Sequence, residues 1–516
     1  MSKKNFSDSR KQAYIKMPSS SFRIGSRSST NTTEGEILRS LFQLRKRLTD
    51  PSSEKITEIT FWNCHWTQQI IHSLRKLIVR DGNYFTSIKF FDCRINNPSF
   101  MEIISMILKC NSTSKLTIKR RRMVESRMEN NEQTLSLCRF RTAADNKILA
   151  TIRDGISNNK SLHYLKLSGL DFGDATLLAT DEDWIGLKDN NTLLQLDLSD
   201  SNFSKSKIKN LAATLSFNAT LQSLNLSRCG LDDDFLSQIL QSVVEHSSLV
   251  QLDLSKNFLA NNYCTEAINV VTKLFRCNRK LECLNLSTQQ PSRDNVVIEE
   301  NEMNQERLKI AFQNAFNALS KNTTLRKIDL SGNSSCFFDL DNVKVLSSCL
   351  VTNKGLLHVD ISSCYFSCLG LSYLAKHCIP FCGVNLKSLI LFDDKIDDRH
   401  ITQNENWDEA FLLLERGLQS NFTLENLGDL HNASISFNLR ISLQHLLNMN
   451  RAGRRAFQIH NFPPAAWTNV LSRASTIEYD ICRSGRNNAE GVEASLSNTA
   501  SVLFTFLQSP FVVEGR

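Results

Sequence analysis

The sequence predicts an α/β solenoid: a right-handed horseshoe with short parallel strands on its concave face, helices on its convex face and a helical cap at each end. Three observations predict it. A leucine ladder recurs, as in Leu221, Leu224, Leu226 and Cys229, then Leu249, Leu252, Leu254 and Asn257. Its second apolar position can be followed through twelve copies, at Ile59, Ile88, Leu116, Leu165, Leu196, Leu224, Leu252, Leu284, Ile328, Val359, Leu389 and Leu427. The shortest gaps between copies are 28 residues, enough for a strand, a turn and a helix with its return loop.

The elements follow in order. At the front, Ile37, Leu38, Leu41, Phe42, Leu44 and Leu48 describe an amphipathic helix ending near Pro51, read as the N-terminal cap over residues 34–55. Between ladders, Ile208, Leu211, Ala212 and Leu215 fall at helical spacing, as do Leu236, Ile239, Leu240 and Val243. Ser204 and Asp232 stand where helix N-caps are wanted. Each next strand is announced by a polar turn, as in Asn218-Ala-Thr-Leu, Asn322-Thr-Thr-Leu and Asn421-Phe-Thr-Leu. The long gaps are the same unit with insertions, near residues 119–145 and 288–305.

The pattern L-x-x-L-x-L-x-x-N/C resembles the leucine-rich repeat family, in its ribonuclease-inhibitor-like subclass, over residues 56–430. The resemblance implies a binding scaffold and names no partner. The ladder leucines are core, and the Asn or Cys that ends each ladder satisfies turn backbone groups between repeats.

Function on such a scaffold lies on residues between the leucines, because a strand sends alternate side chains outward. In the first four repeats these are Glu58, Thr60, Trp62; Ser87, Lys89, Phe91; Lys115, Thr117, Lys119; and Tyr164, Lys166, Ser168. From Gln195 onward Asp197, Asp253, Asp329 and Asp360 recur with a following Ser, joined by Lys327 and His358. A concave face follows that is basic at the N-terminal end and acidic beyond, with Trp62 and Phe91 exposed at one end and Phe392 at the other. Glu58, Trp62, Lys89, Phe91, Lys115, Tyr164, Lys166, Asp197, Asp253, Asp329, His358, Asp360 and Phe392 form the candidate partner-binding set. Aromatic anchors and complementary charge are what such a surface would use. A solvated polar face is the bland alternative for the acidic stripe.

The formal net charge of +8 is concentrated. Residues 1–33 carry Lys3, Lys4, Arg10, Lys11, Lys16, Arg23 and Arg27 against Asp8 alone, are rich in serine, and are expected to be a disordered tail, with a transit peptide as the minor alternative. A second basic run, Lys119-Arg-Arg-Arg122, opens the first insertion. No stretch approaches 18 uninterrupted apolar residues, so no membrane span is expected. No apolar signal-peptide core opens the chain, and fifteen cysteines lack framework spacing. These point to free thiols and a cytoplasmic location, the nucleus being the alternative. The Asn-x-Ser/Thr triplets at Asn218, Asn322 and Asn421 are by-products of the repeat rather than glycan sites.

Residues 431–516 change character: Leu443, Leu446 and Leu447, then Phe462-Pro-Pro-Ala-Ala-Trp467, then the apolar Val502, Leu503, Phe504, Phe506 and Leu507. This tail resembles a C-terminal segment that accompanies leucine-rich repeats in many proteins of unicellular eukaryotes, and is read as a helical capping or docking module.

No catalytic motif stands in its required strand-to-helix context, and no cofactor or metal is expected; His377, Cys378 and Cys382 lack a second ligand pair. The sequence therefore reads as a non-catalytic, monomeric scaffold that binds a protein partner on its concave face. Two alternatives are a GTPase-activating protein of the Ran type, for which Arg228 is the one arginine beside a central strand, and nucleic-acid or anionic-surface binding through the basic N-terminal region.

Overall fold

In the computed structural model of the protein, the residues described are 20–25, 32–81, 85–93, 98–109, 112–120, 145–173, 184–257, 265–287, 302–333, 340–364, 366–392, 407–430, 435–454, 469–470 and 472–473. They fall into two compact units: Met1–Leu178 with Ile185–Leu194, and Ala179–Trp184 with Gln195–Arg516. Each is a leucine-rich-repeat solenoid built from one strand and one helix per repeat.

In the first unit five strands run parallel in chain order: β1 (Ser21–Gly25), β2 (Glu58–Trp62), β3 (Ser87–Phe91), β4 (Lys115–Lys119) and β5 (Tyr164–Ser168). In the second, eight parallel strands follow: β6 (Gln195–Asp197), β7 (Ser223–Asn225), β8 (Gln251–Asp253), β9 (Cys283–Asn285), β10 (Lys327–Asp329), β11 (His358–Asp360), β12 (Ser388–Phe392) and β13 (Asn426–Gly428). All twelve ladder copies are strands, including those at Leu116 and Leu389. Ladder positions pair with ladder positions, as Leu224 with Leu252 and Leu252 with Leu284, so every repeat sends its leucines inward together.

β1 corrects the expected disordered tail. Residues 21–25 pair in register with β2, and Ile24 is fully buried in the place that Phe61 fills one repeat on. Composition hid this strand, because only one of its five side chains has to be buried. The helix after it, α1 (Glu34–Thr49), is accordingly the helix of a complete repeat rather than an isolated cap. It starts on a capping box of Thr33 and Glu36 and buries Ile37, Leu41 and Leu44, while Phe42 is 71% exposed. Residues 1–19 and 26–31, and the expected insertions at 121–144 and 288–301, lie outside the described residues.

Two polar ladders hold the repeats together. At the end of each ladder Asn257 donates to Leu226 O at 2.9 Å and Leu254 O at 2.7 Å and accepts from the Cys229 amide at 2.9 Å, and Asn333 donates to Leu286 O and Leu330 O, both at 2.8 Å. Cysteine does the same at smaller reach: Cys229 Sγ donates to Leu198 O at 3.3 Å and Cys364 Sγ to Leu330 O at 3.3 Å. The second ladder lies at the helix ends. Asn159, Asn190, Asn278, Asn322, Asn353, Asn421 and Asn450 each donate to a carbonyl of the preceding repeat. Asn218, Asn322 and Asn421 accept from the amides two and three residues on and are 3–4% exposed, which leaves no room for a glycan. An unpaired buried backbone group costs about 1–3 kcal/mol, so these side chains are structural requirements.

Just past the strands the chain takes the left-handed conformation four residues after the anchor in eight repeats, at Asn63, Asp92, Gly169, Asp200, Arg228, Lys256, Gly332 and Ser363. Gly169 has no alternative, because a Cβ there would sit 1.9 Å from Arg120 O. The caps differ in part from expectation. Asp232 caps its helix by accepting from the Phe235 amide at 2.9 Å, whereas Ser204 holds the cap position with its hydroxyl on Ser206 at 3.1 Å and makes no cap bond.

At the back, the helix Phe437–Ala452 buries Leu443 and Leu447 and ends on Gly453 at φ 107°. Arg454 follows it, 8% exposed, donating to Leu418 O at 2.6 Å and also to Asn421 O, with its guanidinium 4.6 Å from the Phe422 ring centre. Burial lowers its pKa to about 10. The expected Pro-x-x-x-Trp467 turn and the last apolar segment lie outside the described residues. Among the described residues no helix is long and apolar enough to cross a membrane.

Candidate interaction surface

The alternation of β2 to β5 divides their residues as expected. Ile59, Phe61, Ile88, Phe90, Leu116, Ile118, Leu165 and Leu167 are at most 2% exposed, and their neighbours form three outward rows in register. One row is Trp62, Phe91, Lys119 and Ser168; the middle row is Thr60, Lys89, Thr117 and Lys166; the third is Glu58, Ser87, Lys115 and Tyr164. β1 adds Gly25, Arg23 and Ser21 to these rows.

Trp62 and Phe91 lie side by side and stack, with ring centres 4.4 Å apart and planes at 24°. Both are half-buried. Beneath them a second aromatic group fills the core: Phe61 stacks on Phe90 at 5.2 Å, Trp66 meets Phe61 edge-on at 5.4 Å, and Phe100 meets Phe90 edge-on at 5.1 Å. The outward pair therefore stands on a rigid floor. Glu58, the acidic member of the candidate set on these strands, forms an ion pair with Lys89 at 2.6 Å. Lys115 and Lys119 are exposed, and Tyr164 and Lys166 are half-buried. The first unit as a whole holds 31 Lys and Arg against 17 Asp and Glu.

The outward rows of the second unit are different. Asp197, Asn225, Asp253, Asn285, Asp329 and Asp360 form one row, and Ser199, Ser227, Ser255, Ser287, Ser331 and Ser362 follow two residues on. Each Asp or Asn accepts from the amide of its Ser, at 3.0, 2.9, 2.9, 3.0, 3.0 and 3.0 Å in that order. Asp329 and Asp360 also accept from the Ser331 and Ser362 hydroxyls. The acidic stripe thus has a job in the fold, ending each strand in an Asx turn. Asn225 and Asn285 do it uncharged, so the turn does not require the carboxylates. His358 is exposed in the neighbouring row, next to Lys327.

Phe392 does not belong to this surface. It is 7% exposed and packs on Phe411 with ring centres 6.1 Å apart. The register of β12 and β13 shifts between Ser388 and Phe392, and no sequence signal marks that shift.

Among the described residues no group of three metal-capable side chains occurs, and His377 lies against Tyr373 at 4.5 Å between ring centres. Arg228 is exposed, in the left-handed region at φ 57°, with Asp200 3.8 Å away. A cleft of about 640 Å³ in the first unit, between the helix Pro98–Lys109 and residues 145–156, is lined by Glu102, Lys109, Thr151 and Asp154 and contains no histidine or cysteine.

No protein-family model and no curated protein sequence matches the chain. Among solved structures, it is similar to the C-terminal domain of tropomodulin from Caenorhabditis elegans (17% identity, 32% of this chain and 86% of that one, TM-score 0.23). It is also similar to the internalin inlF of Listeria monocytogenes (12% identity, 73% of this chain and 74% of that one, TM-score 0.34) and to the protein of the TLR13–ssRNA13 complex (16% identity, 67% of this chain and 40% of that one, TM-score 0.33). The fold assignment stands on the strand register of each unit, not on these scores.

Proposed function

We propose that the protein is a non-catalytic scaffold that binds a protein partner on the outward strand face of its first unit, around Trp62 and Phe91. One observation carries this reading. At the position of Trp62 and Phe91 the seven repeats from Ser168 to Ser362 use serine, at Ser168, Ser199, Ser227, Ser255, Ser287, Ser331 and Ser362, while the last two ladders place the buried Phe392 and Leu430 there. Seven repeats thus do without an aromatic at this place, and where the last repeats put a large side chain there it is buried, whereas Trp62 and Phe91 stay half in water. Large, rigid aromatic side chains on a firm floor are what interface hot spots are made of, and a preformed surface keeps the ordering cost of binding low.

The cysteines favour a reducing compartment. Cys64, Cys93, Cys229 and Cys364 act as S–H donors to backbone carbonyls, a role that exists only for the thiol. Burial raises the pKa of Cys349 and Cys382 to about 12, so these thiols stay protonated and inert.

The test is affinity capture from the native lysate with the full chain as bait, beside Trp62→Ser/Phe91→Ser. The major protein partner should disappear with the double variant while thermal unfolding changes little, since both side chains lie outside the core. Retention of the same partner by the variant contradicts the proposal.

A further inference from the structure

The register of β3, β4 and β5 puts four lysines around one threonine. Lys89 and Lys166 flank Thr117 on the neighbouring strands, and Lys115 and Lys119 flank it two residues to either side on its own strand. With strands about 4.8 Å apart and about 3.3 Å per residue, the ring measures roughly 10 Å by 13 Å. Lys115 and Lys119 are exposed, Lys89 and Lys166 half-buried, and Thr117 is 5% exposed at the centre. Phe91 is the register neighbour of Lys119, so the stacked Trp62–Phe91 pair borders the ring directly.

Like charges side by side on a sheet destabilise it, and the matching middle row of the second unit uses Asp and Asn, which close a turn. Glu58 pairs with Lys89, while Lys115 and Lys119 are exposed to water on either side of Thr117. The flexible four-carbon stems allow the ammonium groups to converge over the small, flat floor at Thr117, each bringing three donors.

We infer that the partner presents an acidic segment of polypeptide, with its carboxylates over the lysine ring at Thr117 and an adjacent apolar or aromatic side chain against Trp62 and Phe91. The inference rests on the scaffold reading above and makes it specific. It assigns Lys115, Lys119 and Lys166 to charge recognition and the aromatic pair to anchoring. A surface of this kind gains association rate and selectivity from charge and residence time from the apolar anchor.

The experiment is fluorescence anisotropy with the full-length chain. The probe is a dye-labelled twelve-residue peptide of four consecutive glutamates followed by leucine and phenylalanine, padded with glycine and serine. A glutamine version of the peptide and a twelve-nucleotide single-stranded RNA are the comparisons. The glutamate peptide should bind, the glutamine peptide should not, and affinity should fall with salt. Lys115→Gln/Lys119→Gln/Lys166→Gln should raise the Kd by about tenfold or more, the sum expected of three surface ion pairs, two on exposed lysines and one on the half-buried Lys166. The control Lys321→Gln/Lys354→Gln, on exposed lysines of the second unit, should leave it unchanged. Equal binding of both peptides, an equal loss in the control, or tighter binding of the RNA would overturn the inference. If protein capture still depends on Trp62 and Phe91 while the peptides show no charge preference, the scaffold reading stands and the acidic-partner inference alone fails.

Discussion

Asp233, in the first turn of the helix Asp233–Val244, accepts a hydrogen bond from the Ala267 amide at 3.3 Å and so caps the helix of the following repeat. That helix, Glu266–Cys277, has Thr265 at its N-cap position with no side-chain bond of its own. One repeat thus finishes the next one's helix, which ties local capping to solenoid stacking. The same carboxyl is 4% exposed, and burial raises its pKa to about 6 despite the amide bonds.

The first prediction follows from that shift. A carboxyl whose folded pKa lies above its unfolded value near 3.8 gives stability below pH 4 that is lost as pH rises through about 6. Asp233→Asn keeps the acceptor without the charge. It should stabilise the protein at pH 7 by up to about 3 kcal/mol, with the gap closing between pH 6 and pH 4. Thermal unfolding at pH 4, 5.5 and 7 checks it, and a destabilised variant at pH 7 speaks against the account.

His246 stands in the asparagine ladder at a helix end, where Nδ1 accepts from the Ser248 and Leu249 amides at 3.3 and 3.1 Å. Burial lowers its pKa. Stability from a depressed histidine is present above its unfolded pKa near 6.5 and is lost as pH falls through the folded value. Its Nε2 is buried without a hydrogen-bond partner. His246→Asn should therefore raise stability at pH 7 and flatten the loss below pH 6.5, measured by denaturant unfolding.

Asn257 makes four buried bonds across two repeats. Asn257→Ala should cost about 2–4 kcal/mol, because several backbone groups lose their partner at once. Asn257→Cys should recover part of that, as cysteine holds the same rung at Cys64, Cys93, Cys229 and Cys364. Equal losses for both variants count against the ladder's role.

Arg120 and Asp145 face each other at 3.0 Å across the base of the first insertion, with Asp145 fully buried and also accepting from the Asp171 amide at 2.9 Å. Asp145→Ala removes the acceptor of the half-buried Arg120 guanidinium and of the Asp171 amide at once and should cost about 2–4 kcal/mol. Denaturant unfolding of Asp145→Ala checks this, and a loss under about 1 kcal/mol contradicts it.

The ladder was legible because its chemistry is unconditional: an inward leucine and a turn asparagine serve every repeat alike, so all twelve strands lie where the period put them. β1 was not, since a strand that buries Ile24 alone leaves no periodic mark in a serine-rich, basic stretch. Among the candidate residues, Trp62 and Phe91 were readable as outward aromatics, but their stacking and the ring around Thr117 depend on register between strands 28 to 49 residues apart, which no single repeat encodes. Phe392 was misplaced because it packs on Phe411 at a strand end where the register shifts, and neither feature leaves a mark in the period. The acidic stripe was visible as charge, while its turn-closing role needed geometry.

The most direct measurement is photo-crosslinking in native lysate from a benzoyl-phenylalanine placed at Phe91, beside one at the exposed Phe42, each followed by mass spectrometry of the crosslinked peptide. The account predicts a single dominant adduct from position 91, to an acidic segment of another protein, that is absent from position 42. Crosslinks from position 42 with none from position 91 would contradict it.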